Sequence, residues 1–345
     1  MTVKKDIREL SDAEIAEAVE LIGEKPYRVK QISHWIWARS VTDFNEMTSL
    51  SKSLRDKLIK KFEFRPVQID LEQKSSDSTI KVAFKLYDGN IVEGVLIPSD
   101  DRMTACISSQ VGCSLSCKFC ATGYLERQRN LSPGEIYDQV LYIRKLAMDH
   151  FNTPLTNIVF MGMGEPLLNY RNVMMGIERI TSPDGLAMSS KRITLSTAGI
   201  AKLIKKLGDD GVKFKLALSL HAANDDKRNK IMPINESNSL KVLLEALNYY
   251  YSKTKSMITL EYIVFKDFND TIEDARELLA FIKKIPAKVN IIEYNPIEMA
   301  SFTNTDEDRL ESIRVYLEQN RVNVRLRRSR GKDIDAACGQ LANKR

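Results

Sequence analysis

Hydrophobic and polar positions follow three successive rhythms along the chain. Over about the first sixty residues, apolar side chains recur at helical spacing. Ser11-Asp-Ala-Glu14 is a capping box, and it opens an amphipathic run with Ile15, Val19 and Ile22 on one face. Pro26 suits the first turn of a second helix, which directs Val29, Ile32, Trp35 and Ile36 inward. A third helix is predicted from Asp43 to Phe62, with Leu50, Leu54, Leu58 and Ile59 as its apolar stripe. Lysines and arginines decorate all three. They fit an RNA-binding appendage or simply a solubilising surface.

The second rhythm is that of strands. Val67–Leu71, Thr79–Leu86 and Ile91–Ile97 alternate or run β-branched, and Asp88-Gly89 marks a turn between the last two. Glu93 lies in the final strand among apolar neighbours. There it is either an exposed edge residue or an acid–base group aimed at a site. The segment lacks the composition of a flexible tether, so it is expected to dock the parts it joins.

From about Met103 the pattern becomes strand–helix–strand. Strands are predicted at Thr104–Ser108, Asn157–Met161, Arg192–Ser196, Lys213–Ser219, Ile258–Phe265 and Val289–Tyr294. Helices are predicted at Pro133–Met148, Tyr170–Ile180, Gly199–Leu207, Leu240–Tyr251, Ile272–Lys283 and Asp306–Glu318. Repeated βα units with β-branched strands imply an α/β fold with a parallel sheet and helices outside. Six units fit a partial (β/α)6 barrel better than a closed one of eight. Val322–Arg327 reads as a further short strand. The organisation expected is a helical N-terminal domain (1–64), a linking β segment (65–98) and an α/β core with a C-terminal tail (99–345).

In such sheets, sites gather at the carboxyl ends of the strands. A cysteine loop follows the first core strand. Gly162-Met-Gly164-Glu165-Pro166 follows the second, and Ser196-Thr-Ala-Gly199 the third. Ser219-Leu220-His221 ends the fourth, and Asn295-Pro296 follows the sixth. Each alone is a turn, a cap or a core histidine. Their shared position at one mouth makes them candidates.

Composition adds bounds. The 345 residues are 43% hydrophobic and 28% charged, as in an ordinary globular chain. Met1–Glu9 is charged without an apolar core, so no signal peptide is expected. No apolar run approaches the roughly 18 residues that span a bilayer, so no membrane partner is expected. Net charge is +6, a mild excess. Arg321, Arg325, Arg327, Arg328, Arg330 and Lys332 fall within twelve residues, read either as a phosphate-contacting run or as a solvated face.

Five cysteines is an odd count that argues against a disulfide framework. Three of them, Cys113, Cys117 and Cys120, have C-x3-C-x2-C spacing. Three thiolates can hold three corners of a 4Fe–4S cluster and leave the fourth iron open. The alternatives are a structural zinc site and three unrelated core cysteines. Zinc sites usually add a second ligand pair, and the chain has only three histidines. Thiolate ligation of iron needs a reducing compartment, which makes the cytoplasm the expected location. Cys338, between Ala337 and Gly339, has room to react.

The spacing Cys113-Ser-Leu-Ser-Cys117-Lys-Phe-Cys120 resembles that of radical S-adenosyl-L-methionine (SAM) enzymes. Cys106-Ile-Ser-Ser-Gln-Val-Gly-Cys113, Met161-Gly-Met-Gly-Glu-Pro-Leu-Leu-Asn169 and Asp333-Ile-Asp-Ala-Ala-Cys338-Gly-Gln-Leu341 extend the likeness over essentially the whole chain. It resembles the bacterial RNA adenine C2-methyltransferases of the RlmN family, relatives of the Cfr enzymes that modify C8. The Glu-Pro-Leu-Leu-Asn form after Gly164 favours the C2 enzymes. Two runs beside the mouth depart from the family's usual form, Glu126–Leu131 and Ile297–Phe302. A Cfr-like C8 methyltransferase and a metal-stabilised RNA-binding module are the alternatives.

The resemblance implies a radical-SAM partial barrel with a helical RNA-binding domain. The substrates it implies are adenosine 2503 of 23S rRNA, in the peptidyl-transferase centre, and adenine 37 of certain tRNAs. Two SAM molecules would serve each turnover. One methylates Cys338, and the other is cleaved at the cluster. Cys106 resolves the protein–RNA adduct through a disulfide with Cys338, and Glu93 accepts the C2 proton. Cys113, Cys117 and Cys120 ligate the cluster. Gly164, Glu165, Ser196, Ser219, Leu220, His221 and Asn295 contact SAM. An external electron donor and an external thiol reductant complete the set of partners. On this reading, replacing Cys113, Cys117 or Cys120 by Ala removes the brown cluster and all SAM cleavage. A single variant that keeps full iron content and cleaves SAM reductively disproves thiolate ligation.

Overall fold

The computed structural model describes residues 4–100 and 102–343; residues 1–3, 101, 344 and 345, and with them the expected outer limits of the first and last domains, lie outside these. The N-terminal unit begins with β1 (Lys5–Asp6), which pairs in parallel with β2 (Phe62–Glu63) and so closes the unit on itself. Helix α1 (Asp12–Leu21) starts at the predicted capping box. Glu14 N–H donates to Ser11 Oγ at 3.3 Å, and Ser11 N–H donates to Glu14 Oε2 at 2.7 Å.

Helix α2 (Tyr27–Ser33) runs directly into a π turn over His34–Ala38. The wider turn shifts the helical phase. Ile36 and Trp37 are both buried, whereas Trp35 lies partly exposed and donates from its indole to Ser49 Oγ at 2.8 Å. The expected third helix is shorter than its apolar stripe suggests. Only Lys52–Lys61 forms α3, because the Ser51 hydroxyl accepts from Leu54 N–H and fixes the start there. Leu50 stays buried in the preceding loop.

Next come β3 (Gln68–Lys74), β4 (Ile80–Lys85) and β5 (Ile91–Ser99), antiparallel to one another. They do not form a separate sheet. β5 pairs antiparallel with β6 (Arg102–Cys106), and β6 pairs in parallel with β9 (Asn157–Phe160). The short β7 (Gln110–Val111) and β8 (Arg129–Asn130) pair beside the mouth, framing the cysteine loop. The parallel run continues through β10 (Ile193–Thr197), β11 (Lys215–Ser219), β12 (Ile258–Val264), β13 (Ala287–Glu293) and β14 (Val324–Arg327). One ten-stranded mixed sheet results, in the order β14-β13-β12-β11-β10-β9-β6-β5-β4-β3.

The short strand at Val322–Arg327 thus becomes a seventh parallel strand and an edge of the open barrel. Its outer layer is α4 (Pro133–Phe151), α5 (Tyr170–Thr181), α6 (Ala201–Asp209), α8 (Leu240–Thr254), α9 (Ile272–Ile282) and α10 (Glu307–Gln319). Helix α6 starts after Gly199, whose φ of +106° excludes it from the helix. An additional helix, α7 (Asp225–Ile231), lies in the connection after β11. No helix among the described residues is long and apolar enough to cross a membrane.

The main hydrophobic core runs from the N-terminal helices through the sheet, and a smaller one lies under the cysteine loop. The polar weld between them is Arg8. Its guanidinium reaches both oxygens of Asp138 on α4 at 2.8 Å and Asp6 at 3.0 Å, all largely out of solvent. Gly134 makes room for it, since a Cβ there would lie 2.9 Å from the guanidinium. Beside it, the Tyr137 hydroxyl donates to Trp37 O, and the two rings meet edge to face at 5.1 Å. Asp138→Ala leaves the buried Arg8 with Asp6 alone. The expected loss is about 3 kcal/mol of unfolding free energy, the low end for a broken buried pair. Urea unfolding measures it; an unchanged midpoint means that this pair does not hold the N-terminal unit.

Candidate active site at the strand ends

The cysteine loop is shaped by two glycines. Gly112 has φ +72°, and a Cβ there would lie 2.1 Å from Glu126 O. A Cβ on Gly123 would lie 2.7 Å from Cys117 O. Backbone bonds then fix the loop from within, Cys120 N–H to Cys117 O at 3.2 Å and Gly123 N–H to Cys120 O at 2.9 Å. Lys118 N–H donates to Ile231 O at 2.9 Å and ties the loop to α7. From the far end of the chain, Gly339 O accepts from Ala121 N–H at 2.7 Å, and Leu341 O accepts from the Thr122 hydroxyl at 2.6 Å.

One cleft opens at these strand ends. Cys113, Cys117, Cys120 and Cys338 line it, with Gly164, Glu165, Ser196, Ser219 and His221 around them. Most of the expected residues therefore meet in one place. Leu220, Asn295, Glu93 and Cys106 are not on its wall.

Leu220 points its side chain into the core; its N–H donates to Glu261 O at 3.0 Å. Asn295 donates to Cys338 O at 3.1 Å and so positions the tail, while its buried Oδ1 has no partner. Glu93 is neither an exposed edge residue nor aimed at the cavity. It is 1% exposed and pairs with the equally buried Lys81 at 3.2 Å. Its Oε2 accepts from the N–H groups of Ala342 and Asn343 at 2.8 and 3.0 Å.

Cys106 ends β6 behind the wall, where its sulfur accepts from Met161 N–H. Burial, and secondarily the nearby Cys338, push its thiol up to about 12. Cys338 lies deep in the molecule, but solvent reaches it through the cavity. Burial raises its thiol as well, against the pull of Arg327. All five cysteines are free, so the Cys106–Cys338 disulfide implied by the resemblance is not formed in this structure.

Glu165 carries a structural task. Its oxygens accept from Leu167 N–H at 3.0 Å and from Ala198 N–H at 2.8 Å, bridging the 162–164 loop to the end of β10. Burial raises its pKa to about 7, against these bonds. Gly164, at φ +93°, lets the loop lie on Gln110, where a Cβ would come within 2.4 Å. His221 is left-handed at φ +56°, and its Nδ1 accepts from Ile263 N–H at 3.1 Å. Burial and then Arg228 lower its pKa to about 3, so the ring is neutral and carries its proton on Nε2. Ser196 and Ser219 hydroxyls lie 3.4 Å apart on the wall.

Several residues escape sequence reasoning. Glu261 and Arg327 face the cavity as a loose pair 3.8 Å apart, and Glu261 Oε2 has no hydrogen-bond partner. Alternation in β12 and β14 was their only signal. The basic run does not act as one group. Arg327 turns into the cavity, while Arg328 is held by Glu307 and Glu293, and Lys332 by Glu293.

Comparison with known proteins agrees with this arrangement. The model of the ribosomal RNA large subunit methyltransferase N-terminal domain matches residues 5–64, and that of the radical SAM superfamily matches residues 107–282. The chain is 62% identical over 341 residues to the probable dual-specificity RNA methyltransferase RlmN of Cytophaga hutchinsonii, covering 99% of this chain and 93% of that one. It is 42% identical to the dual-specificity RNA methyltransferase RlmN 2 of Myxococcus xanthus, covering 98% of this chain and 91% of that one. The crystal structure of a radical SAM methyltransferase from Sphaerobacter thermophilus superposes with a TM-score of 0.90 at 36% identity, covering 99% of this chain and 100% of that chain.

The Glu165 bridge makes its own prediction. Glu165→Ala strands two buried N–H groups, at roughly 1–3 kcal/mol each. It should lower the melting temperature and weaken SAM binding together. A variant as stable as the parent shows that the bridge is dispensable.

Proposed function

Because the chain belongs to the RlmN family of dual-specificity RNA methyltransferases within the radical SAM superfamily, we propose that it methylates C2 of an adenine in 23S rRNA and in tRNA, with Cys338 carrying the methyl group and Cys113, Cys117 and Cys120 holding a 4Fe–4S cluster. The observation that carries this reading is that these four cysteines line one cavity. Among the described residues, no three His, Cys, Asp or Glu side chains converge as a single metal ion requires. A cubic cluster asks for less convergence, because each thiolate takes a separate iron. The donor set therefore fits a cluster better than a structural zinc.

When bound, the cluster and SAM supply a 5′-deoxyadenosyl radical, with the electron coming from an external donor. The residues of the chain do the rest. Adenine C2 is electron-poor and cannot itself attack a sulfonium methyl. Cys338, reachable through the cavity, accepts that methyl instead. Its S-methyl carbon gives up a hydrogen atom to that radical and adds to C2, and the adduct must then give up one electron, for which the cluster would be the acceptor, before it loses a proton. Neutral His221, the two serines and the Gly162–Gly164 loop offer hydrogen bonds to SAM without adding net charge. Glu165, Leu220 and Asn295 act largely by placing backbone.

Glu93 accepts the C2 proton in this reading. The amides of Ala342 and Asn343 must leave it first, so release of the base is coupled to movement of the tail. Cys106 then attacks the Cys338 sulfur and frees the product, and an external thiol reduces the disulfide. That chemistry suits a reducing, cytoplasmic setting.

The two thiols outside the cluster loop should fail differently. Cys338→Ala removes the carrier, so neither protein nor RNA is methylated. Cys106→Ala still loads Cys338 and adds to RNA, but cannot resolve the adduct. It should accumulate RNA bound through Cys338, seen as a band that resists denaturation. Normal multiple turnover by Cys106→Ala, with no trapped RNA, makes the second thiol a bystander.

A further inference from the structure

Arg228 on α7 is a buried cation that the reaction above does not use. It is 0% exposed. Its guanidinium donates to Ala198 O at 2.6 Å, Ser219 O at 3.1 Å, Leu220 O at 3.1 Å and Asn235 Oδ1 at 2.7 Å. These neutral acceptors satisfy its protons but bring no counter-charge. No carboxylate pairs with it among the described residues. Asp225, one of two acids on the same helix, is engaged by Asn235 Nδ2 at 2.8 Å and Leu240 N–H at 2.9 Å, and the other, Asp226, forms no ion pair with it. A guanidinium so placed is strongly disfavoured unless an anion lies near.

The anion candidate is across the helix. Lys118 N–H binds Ile231 O, less than a turn beyond Arg228, and so presses the cysteine loop on α7. Ile231 and Met232 belong to the apolar floor on which Cys117 and Cys120 pack. Met232 N–H donates to Arg228 O at 2.8 Å, and the guanidinium holds the carbonyls of Ala198 and Ser219, so the cation sits directly behind three residues that line the same cavity as Cys117 and Cys120.

We propose that Arg228 is the buried counter-charge of the iron–sulfur cluster, and that the same side chain locks the ends of β10 and β11 on which SAM rests. The inference rests on Cys113, Cys117 and Cys120 being the cluster ligands. A cubic cluster on three thiolates has net negative charge, and one-electron reduction makes it more negative. A fixed cation at low dielectric favours the reduced form more than the oxidised one, which raises the reduction potential. The fork geometry of Arg spans two neighbouring strand ends, whereas a lysine offers one point of contact.

The test reconstitutes the full chain and its Arg228→Met and Arg228→Lys variants anaerobically. Iron and sulfide content, midpoint potential by spin-resonance titration, SAM affinity, and melting temperature before and after reconstitution are read. Arg228→Met should shift the midpoint to a more negative potential and gain less melting temperature from the cluster than the parent does. Arg228→Lys should keep a midpoint near the parent's yet bind SAM roughly tenfold more weakly, about one charged hydrogen bond lost. A loaded Arg228→Met with the parent's midpoint and the parent's gain in melting temperature overturns the proposal. If Arg228→Met takes up no cluster, the Lys variant decides: a parental midpoint supports the counter-charge, and no cluster or a shifted midpoint overturns it. A parent chain that itself acquires no 4Fe–4S signal refutes the ligand assignment instead.

Discussion

The site depends on the return of the C-terminal tail to the cysteine loop. Two bonds close it, Ala121 N–H to Gly339 O and the Thr122 hydroxyl to Leu341 O. Gly339 is required at the contact. Its φ is +85°, and a Cβ would already lie 3.3 Å from Phe119 O, so a larger side chain would push the tail off the loop. The tail is also held upstream. Ser75 donates to Asp333 Oδ1 at 2.5 Å, and Gly331 N–H donates to Asp77 Oδ2 at 2.8 Å. Both anchors belong to the β3–β4 connection. The strands that read as a linker thus carry the edge from which the tail is slung across the mouth.

Much of this fold is legible in the sequence because its signals are local. Capping boxes at Ser11 and Ser132, β-branched runs and the cysteine spacing each act within a few residues. What stays hidden depends on partners far along the chain. The π turn at His34–Ala38 changes which tryptophan is buried, and no helical period reveals it. Ser51 shortens a helix whose apolar stripe runs on into a loop. Lys81, Glu261 and Arg228 look like surface residues, since charged side chains are rarely buried alone. Only the neighbours of Arg228 show why it is inside. Leu220 lies just past the end of β11, with its side chain in the core and its N–H on Glu261 O, an orientation that its place in the sequence does not reveal.

The basic run shows the same limit for charge. Six cations in twelve residues suggest one surface. Their partners divide them. Arg327 faces the cavity and Glu261, whereas Arg328 faces acids on α10 and β13. Cations adjacent in sequence therefore need not share one surface.

The environments of the two thiols suit the order that the proposed chemistry demands. A methyl carrier must be open to SAM and to a flipped base, and Cys338 is open to the cavity. A resolving thiol must not act early. If Cys106 were a free thiolate open to the cavity, it would compete with Cys338 for the methyl group. Burial prevents this by holding its thiol up at about 12, protonated at neutral pH, behind the Met161 backbone. Met161 also touches Arg327, whose guanidinium lies 3.5 Å from its sulfur. A shift of this one residue would expose Cys106 to the cavity and bring it toward the cation that favours a thiolate. The wall that hides the second thiol is thus a place where occupation of the cavity can be felt by it.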